Sequence, residues 1–179
     1  MAPPGKELKY ARVERERRFL LAGRPEGTSI QGVSITDRYL PGTRIRLRRA
    51  SESSDRGHQI VYKLTQKIPR LGGLPGLITT MYLSSDEYQA LAALPAAVLR
   101  KSRYRLPPLG VDVFEGDRSG LCLAEAEFDS DAEMAEFTAP AIVVAEVTGD
   151  HRFTGGHLAT STRQDVAEAL AAYGLVLQE

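Results

Sequence analysis

In Arg12-Val13-Glu14-Arg15-Glu16-Arg17-Arg18-Phe19 the two carboxylates and the arginine after them fall two residues apart, and this spacing constrains the fold more than any other feature of the chain. Alternate residues of a strand share a face. A β reading therefore turns Glu14, Glu16 and Arg18 one way and Val13, Arg15, Arg17 and Phe19 the other. Same-face neighbours on a strand lie roughly 7 Å apart, so aligned carboxylates repel unless a cation lies between them, and a hard divalent ion with oxygen ligands suits that arrangement. Taken alone, the segment reads as a solvated edge strand with scattered charge.

The same period returns along the chain with both signs. Thr43-Arg44-Ile45-Arg46-Leu47-Arg48 aligns Arg44, Arg46 and Arg48 against Ile45 and Leu47. Lys63, Thr65 and Lys67 share a face, as do Lys101 and Arg103, and Glu125 and Glu127 repeat the acidic version on an otherwise small and apolar strand. Each stripe by itself is explained by solvent. Together, with apolar residues opposite them and amphipathic helices to cover those residues, they predict a charged interior. The expectation is an α+β, predominantly antiparallel β fold: a closed or nearly closed eight-stranded barrel with helices packed outside. Its bore would suit a compact polyanion, because guanidinium groups grip phosphate oxygens and carboxylates hold a divalent ion.

Strands are expected at 11–21, 28–40, 43–50, 59–67, 78–83, 101–106, 109–114, 122–128 and 141–147. Ser84-Ser85-Asp86-Glu87 and Ser130-Asp131-Ala132-Glu133 fit the capping box and predict helices over 84–94 and 131–137. A third helix, 163–173, carries Val166, Ala169, Leu170 and Tyr173 on one face and stops at Gly174. Segments 51–57 and 71–76 read as loops, the latter a flexible mouth loop. Residues 1–9, with Pro3, Pro4 and Gly5, read as a flexible leader to a single domain over 10–179.

Lys and Arg number 23 and Asp and Glu 23, so the net charge is zero, which argues against a general nucleic-acid binder or a polybasic membrane protein. No apolar run approaches the roughly 20 residues of a membrane span, and the first residues lack a signal peptide's apolar core. The lone Cys122 excludes an internal disulfide and a cysteine zinc cage. The expected location is the cytoplasm, with no nucleic-acid or membrane partner and a homodimer left open.

On these residues the chain resembles the CYTH superfamily, the triphosphate tunnel metalloenzymes, over about residues 12–159. The family's ExExK motif is matched by Glu14-x-Glu16-x-Arg18, with arginine in place of lysine. Arg44-Ile45-Arg46-Leu47-Arg48, Leu64-Thr65-Gln66-Lys67, Lys101-Ser102-Arg103-Tyr104, Asp112-Val113-Phe114, Glu125-Ala126-Glu127-Phe128 and Glu146-Val147-Thr148-x-Asp150-x-Arg152-Phe153 follow in the family's order. The resemblance implies a metal-dependent hydrolase of small triphosphates, above all an inorganic triphosphatase, using Mg²⁺ or Mn²⁺. By position, Glu14, Glu16 and Glu127 would bind metal, and Glu125 would share a second ion or orient a cation. Glu14, Glu16 and Arg18 would form the catalytic motif. Arg46, Arg48, Lys67, Lys101 and Arg103 would bind the triphosphate or polyphosphate, joined by Arg44, Lys63 and Arg152. Some bacterial members carry glutamates where Ile78-Thr79-Thr80-Met81-Tyr82 stands here.

His58, His151 and His157 lack metal-ligand spacing and read as surface residues, Cys122 as a buried thiol, and Tyr39 as packing rather than a base contact. The glycine-rich 72–76 segment lacks a P-loop's lysine and hydroxyl. The alternatives are a class IV adenylate cyclase, a thiamine triphosphatase, or a non-catalytic module that binds polyphosphate or nucleotide. Retention of Glu14, Glu16, Glu125 and Glu127 favours catalysis.

Overall fold

The computed structural model describes residues 9–29, 31–54, 57–68 and 76–177. The expected leader, apart from Lys9, and nearly all of the 71–76 loop lie outside them. Ten strands form one antiparallel sheet: β1 (Arg12–Val13), β2 (Glu16–Leu21), β3 (Val33–Tyr39), β4 (Ile45–Ser54), β5 (Gly57–Ile68), β6 (Leu77–Leu83), β7 (Ala97–Leu106), β8 (Leu109–Phe114), β9 (Cys122–Glu127) and β10 (Val143–Glu146). Their order is β1-β6-β5-β4-β3-β7-β8-β9-β2-β10. The helices are few and short: α1 (Ser85–Ala92), α2 (Asp131–Glu136), α3 (Gly155–Leu158) and α4 (Arg163–Ala171). Among the described residues no helix is long and apolar enough to cross a membrane.

Local chemistry sets the boundaries. Between β3 and β4, the Thr43 N–H donates to the Leu40 carbonyl at 3.2 Å across Pro41-Gly42. Gly42 takes φ +68, so proline presets the first turn position and glycine supplies the left-handed second one. The Ser84 side chain accepts from Glu87 N–H, and the Glu87 carboxylate accepts from Ser84 N–H, as the capping box predicts. At α2, Ser130 accepts from Glu133 N–H, but the Glu133 carboxylate reaches Asp129 N–H instead.

Five expectations are corrected. Segment 51–57 is not a loop: β4 runs to Ser54 and β5 begins at Gly57, with Ser51 opposite Ile60 and Ser53 opposite His58. The His58 ring bridges the Ser51 and Ser53 hydroxyls at 3.0 and 3.1 Å, so polar contacts extend the hairpin where no apolar pattern signals it. The strand expected from residue 28 begins only at Val33, because Thr28 and Ser29 are engaged by the Arg24 guanidinium and Gly32 is pressed against the Tyr104 ring.

The expected single strand over 11–21 is two. β1 pairs with β6, β2 pairs with β9, and only Glu14 and Arg15 separate them. Glu14 N–H donates to Gly76 O at 2.9 Å, while Arg15 O accepts from Phe128 N–H at 3.0 Å, so this segment leaves one side of the sheet and joins the other within two residues. The sheet is not closed by ladder hydrogen bonds into eight strands. From Phe19 to Leu20 both edges of β2 are taken, by β9 and β10, and neither is free for β6.

The third helix does not lie on the face opposite the charges. Val166, Ala169 and Leu170 of α4 cluster with Leu20, Leu99, Phe114 and Leu123, and with Phe153 and Leu158. Those four strand residues stand two positions from Arg18, Lys101, Asp112 and Glu125, so they share the charged face. Every one of these strands turns apolar toward the same end, and the C-terminal helices cover it. Arg118 fastens them by donating to Leu158 O at 2.8 Å and Ala159 O at 3.0 Å. Tyr39 packs against this cluster, and a Cβ at Gly155 would fall 2.0 Å from its hydroxyl, so only glycine fits there. The opposite face buries Phe19, Leu21, Val111, Cys122, Ala124 and Ala126 under Phe137, Ala139 and Val143, while Tyr88 of α1 stacks on Tyr62 at 4.5 Å.

Because Phe153 is 1% exposed within the apolar end, Phe153→Ala should cost about 3–5 kcal/mol in urea denaturation. Val176→Ala, at a residue 85% exposed, should change stability by less than about 0.5 kcal/mol.

Candidate active site

Register brings the charges of five strands into one chain of ion pairs. On β2 and β9, Glu16 lies opposite Glu127 and Arg18 opposite Glu125. Arg18 Nη2 donates to Glu16 at 2.5 Å and its Nε to Glu125 at 3.1 Å. Lys67 pairs with Glu14 and lies 3.9 Å from Glu16. On the far side of Glu125 comes Arg103, which also donates to Asp112 through Nε at 2.6 Å and Nη2 at 2.7 Å. Lys101 completes the series on Asp112. Gly110 sits opposite Glu125 and carries no side chain, and the Arg103 stem runs 3.7 Å from where its Cβ would stand, which lets the fork cross β8 to reach Glu125.

A second group forms on β3, β4 and β5. Asp37 accepts from Arg48 Nε at 2.6 Å and Nη2 at 2.7 Å, with Arg46 Nε 3.7 Å away. Arg46 reaches Thr65, whose hydroxyl bonds that of Thr80 at 3.2 Å. Lys63 lies opposite Arg48, its ammonium 5.1 Å from the Tyr82 ring centroid. Arg44 is exposed one step further along β4's approach.

Burial and charge drive two neighbouring glutamates apart. Burial raises the pKa of Glu16, and the charge of Glu125 raises it further against Lys67 and Arg18. Burial would also raise Glu125, but Arg103, Lys101 and Arg18 outweigh it and hold it well below the ordinary range. Lys101 is lowered by burial, despite Asp112, and Arg103 is raised because Asp112 and Glu125 outweigh its burial.

Of the residues singled out in the sequence, Glu14, Glu16, Arg18, Lys67, Lys101, Arg103 and Glu125 stand in one connected network, and Arg46 and Arg48 in the second. Glu127 is exposed and has no ion pair among the described residues. Arg152 is not joined to either network: Asp150 takes its fork, and Tyr173 donates to the same carboxylate. His151 and His157 meet edge to face at 5.2 Å beside Arg152, and all three histidines are exposed. Cys122 is buried on the opposite face, its thiol pushed up to about 12 by burial. Tyr39 is likewise pushed up to about 12 by burial.

Two members have roles that sequence reasoning did not assign. Asp37 and Asp112 are each 1% exposed, and each holds two basic residues that were assigned to the substrate. Their role becomes visible only from register, which sets Asp37 opposite Arg48 and Asp112 opposite Arg103.

The carboxylates offer hard oxygen donors, but among the described residues no three His, Cys, Asp or Glu side chains are gathered closely enough to hold a metal. Glu125 is consumed by Arg18 and Arg103. Glu14 and Glu16 approach the same Lys67 ammonium, and Glu127 lies opposite Glu16 with no ion pair among the described residues, so these carboxylates are the oxygen donors on this face nearest one another.

No family model matches the chain. The inorganic triphosphatase of Nitrosomonas europaea is 31% identical to it over 156 residues, covering 83% of this chain and 97% of that protein. The crystal structure of the inorganic triphosphatase NE1496 matches with TM-score 0.54 and 28% identity, covering 83% of this chain and 95% of that one. A crystal structure of the hypothetical protein NE1496 gives TM-score 0.54 at 30% identity over 84% and 99% of the two chains.

The two glutamates predict opposite pH behaviour. The raised pKa of Glu16 contributes stability that is complete below the unfolded pKa and lost as pH rises through the folded one. Glu16→Gln should therefore raise the thermal midpoint near pH 7, with the difference closing toward pH 4. The depressed pKa of Glu125 contributes stability present above the unfolded pKa and lost as pH falls through the folded one. Glu125→Gln should cost about 3–5 kcal/mol near pH 7, since Arg18 and Arg103 lose a buried partner, and less in acid; urea titrations at both pH values check this.

Proposed function

Because the chain belongs to the CYTH superfamily, the triphosphate tunnel metalloenzymes, alongside the inorganic triphosphatase it resembles, we propose that its charged face binds and hydrolyses inorganic tripolyphosphate or a similar small triphosphate. The observation that carries this reading is the convergence of Arg46, Arg48, Lys63, Lys67, Lys101 and Arg103 on one face beside Glu14, Glu16 and Glu127. In this reading the face lines a nearly closed tunnel. β6 and β9, at opposite sides of the sheet order, are bridged by residues 12–21, and the C-terminal helices fill the apolar end, leaving the charged end for the substrate.

In this reading the cations hold the phosphate chain in line, each charge-assisted contact contributing about 1.5–3 kcal/mol. Glu14, Glu16 and Glu127 would hold the divalent cation, Mg²⁺ or Mn²⁺. When bound, it supplies charge neutralisation to the phosphate oxygens. Water attacks a terminal phosphorus, which leaves as orthophosphate carrying the water oxygen, while the phosphoric anhydride bond breaks with its electron pair on the departing diphosphate and the proton lost by water passes to solvent or a phosphate oxygen. No serine or histidine nucleophile is needed. Glu125 serves as the counter-ion that orients Arg18 and Arg103 rather than as a ligand, since both guanidinium groups already occupy it. Arg18 is a fixed cation, and a single ammonium would not span both carboxylates as its fork does.

Phosphate release from tripolyphosphate with Mg²⁺ or Mn²⁺ tests the function. Glu127→Gln should lower turnover at least a hundredfold, on the order of 3 kcal/mol of activation free energy, while tripolyphosphate binding changes much less. Arg46→Ala should instead weaken binding roughly ten- to a hundredfold. Full metal-dependent turnover in Glu127→Gln and Glu16→Gln together would overturn the carboxylate assignment.

A further inference from the structure

The least exposed member of the second network is an acid, in a place where phosphate must be gripped. Asp37 is 1% exposed, and both its oxygens are used by the fork of Arg48, at 2.6 and 2.7 Å. Backbone register enforces this pairing, because Asp37 and Arg48 lie directly opposite on β3 and β4. The next pair along is Tyr39 opposite Arg46, which sets Arg46 Nε 3.7 Å from the same carboxylate. That Nε is buried and has no hydrogen-bond partner among the described residues.

The two arginines are therefore unequal. Arg48 has its Nε and Nη2 edge committed to Asp37 and keeps mainly Nη1 for a ligand. Arg46 keeps one unsatisfied donor, its Nε. Asp37 also cancels one positive charge where Arg46, Arg48 and Lys63 crowd together, and Lys101 is near enough to act on Asp37 electrostatically. A cluster of uncompensated cations would hold every phosphate species tightly, product as well as substrate, and uniform tight binding does not raise turnover.

We propose that Asp37 is a positioning residue for hydrolysis: it fixes the Arg48 fork, leaves Arg46 as the principal phosphate grip, and tempers the local positive charge so that the phosphate products leave. The role rests on the triphosphatase reading above. It acts through Arg48, and Asp37 itself does not touch the reacting atoms.

Asp37→Asn preserves shape and removes the charge. Its predicted signature is a split: kcat falls at least tenfold while KM for tripolyphosphate falls rather than rises. Inhibition by diphosphate tightens by about tenfold or more, the size expected when one compensating charge is lost roughly 10 Å from an anion at an effective dielectric of about 20. Damage to the fold alone would lower the active fraction without tightening diphosphate binding, and an unchanged or weakened diphosphate affinity would overturn the proposal.

Where Asp37→Asn folds poorly because its two cations are unpaired, the neutral pair Asp37→Asn with Arg48→Gln serves instead. That variant removes one charge of each sign, so diphosphate should bind it no more tightly than it binds the wild type, and a tightening of about tenfold or more there would mean that loss of the Asp37 charge does not explain the effect. A readout independent of turnover is the Nε–H proton of Arg48 in ¹⁵N spectra, which should exchange slowly in the wild type and markedly faster in Asp37→Asn. An unchanged exchange rate would overturn the positioning role. If wild type neither binds nor hydrolyses tripolyphosphate, the triphosphatase reading fails, and the Arg48 exchange rate still decides whether Asp37 fixes that fork.

Discussion

The structure depends on the pairing of charges that have been taken out of water. Arg18, Asp37, Lys101 and Asp112 are all at most 7% exposed, and a lone buried charge costs several kcal/mol even after relaxation. Each is matched by an opposite charge on a neighbouring strand, Arg18 by Glu125, Asp37 by Arg48 and Lys101 by Asp112. Pairing on this scale can be arranged only if register is fixed, since a slip of one residue would turn every charge to the other face. The ion pairs and the strand order therefore specify one another: antiparallel register places Arg18 opposite Glu125, and the pair penalises any other register.

This interdependence explains why one face can be charged at one end and apolar at the other. Along β2 the face reads Glu16, Arg18, Leu20; along β9 it reads Glu127, Glu125, Leu123; along β7 it reads Arg103, Lys101, Leu99. The apolar ends would be exposed without a cover, and at roughly 25 cal/mol per Å² their burial under Phe153, Leu158, Val166 and Leu170 is a strong drive to seat the C-terminal helices there. The cover excludes water from the lower part of the charged layer, which strengthens the pairing above it. Stability and the charged site thus come from a single pattern on each strand.

Much of this was legible from period alone, because a strand's two faces are written directly into alternate residues. The charged stripes at Arg44, Arg46 and Arg48 and at Glu125 and Glu127 needed nothing more, and the caps at Ser84 and Ser130 followed from local hydrogen bonding. What escaped depends on partners distant in sequence. The division of 11–21 into two strands is set by Gly76 and Phe128, both far along the chain. The amphipathic stripe of α4 predicts burial but not which sheet face receives it, so the helix was expected on the opposite side. Asp37 stands between a threonine and an arginine in an unremarkable stretch, and its meaning is carried entirely by Arg48 across the hairpin.

Arg18 shows how such a network can absorb a change in a motif. A lysine at this place would present a compact charge to one carboxylate at a time, whereas the planar fork of arginine offers separate donors in fixed directions. Here one donor meets Glu16 and another Glu125, and the two acids respond oppositely: Glu125, with three strong cations around it, is held ionised, while Glu16 keeps a raised pKa. The fork therefore does not satisfy both carboxylates equally. It ties Glu125 into the structural network, while Glu16, opposite Glu127 of β9, keeps the pKa that its burial and the neighbouring Glu125 charge raise.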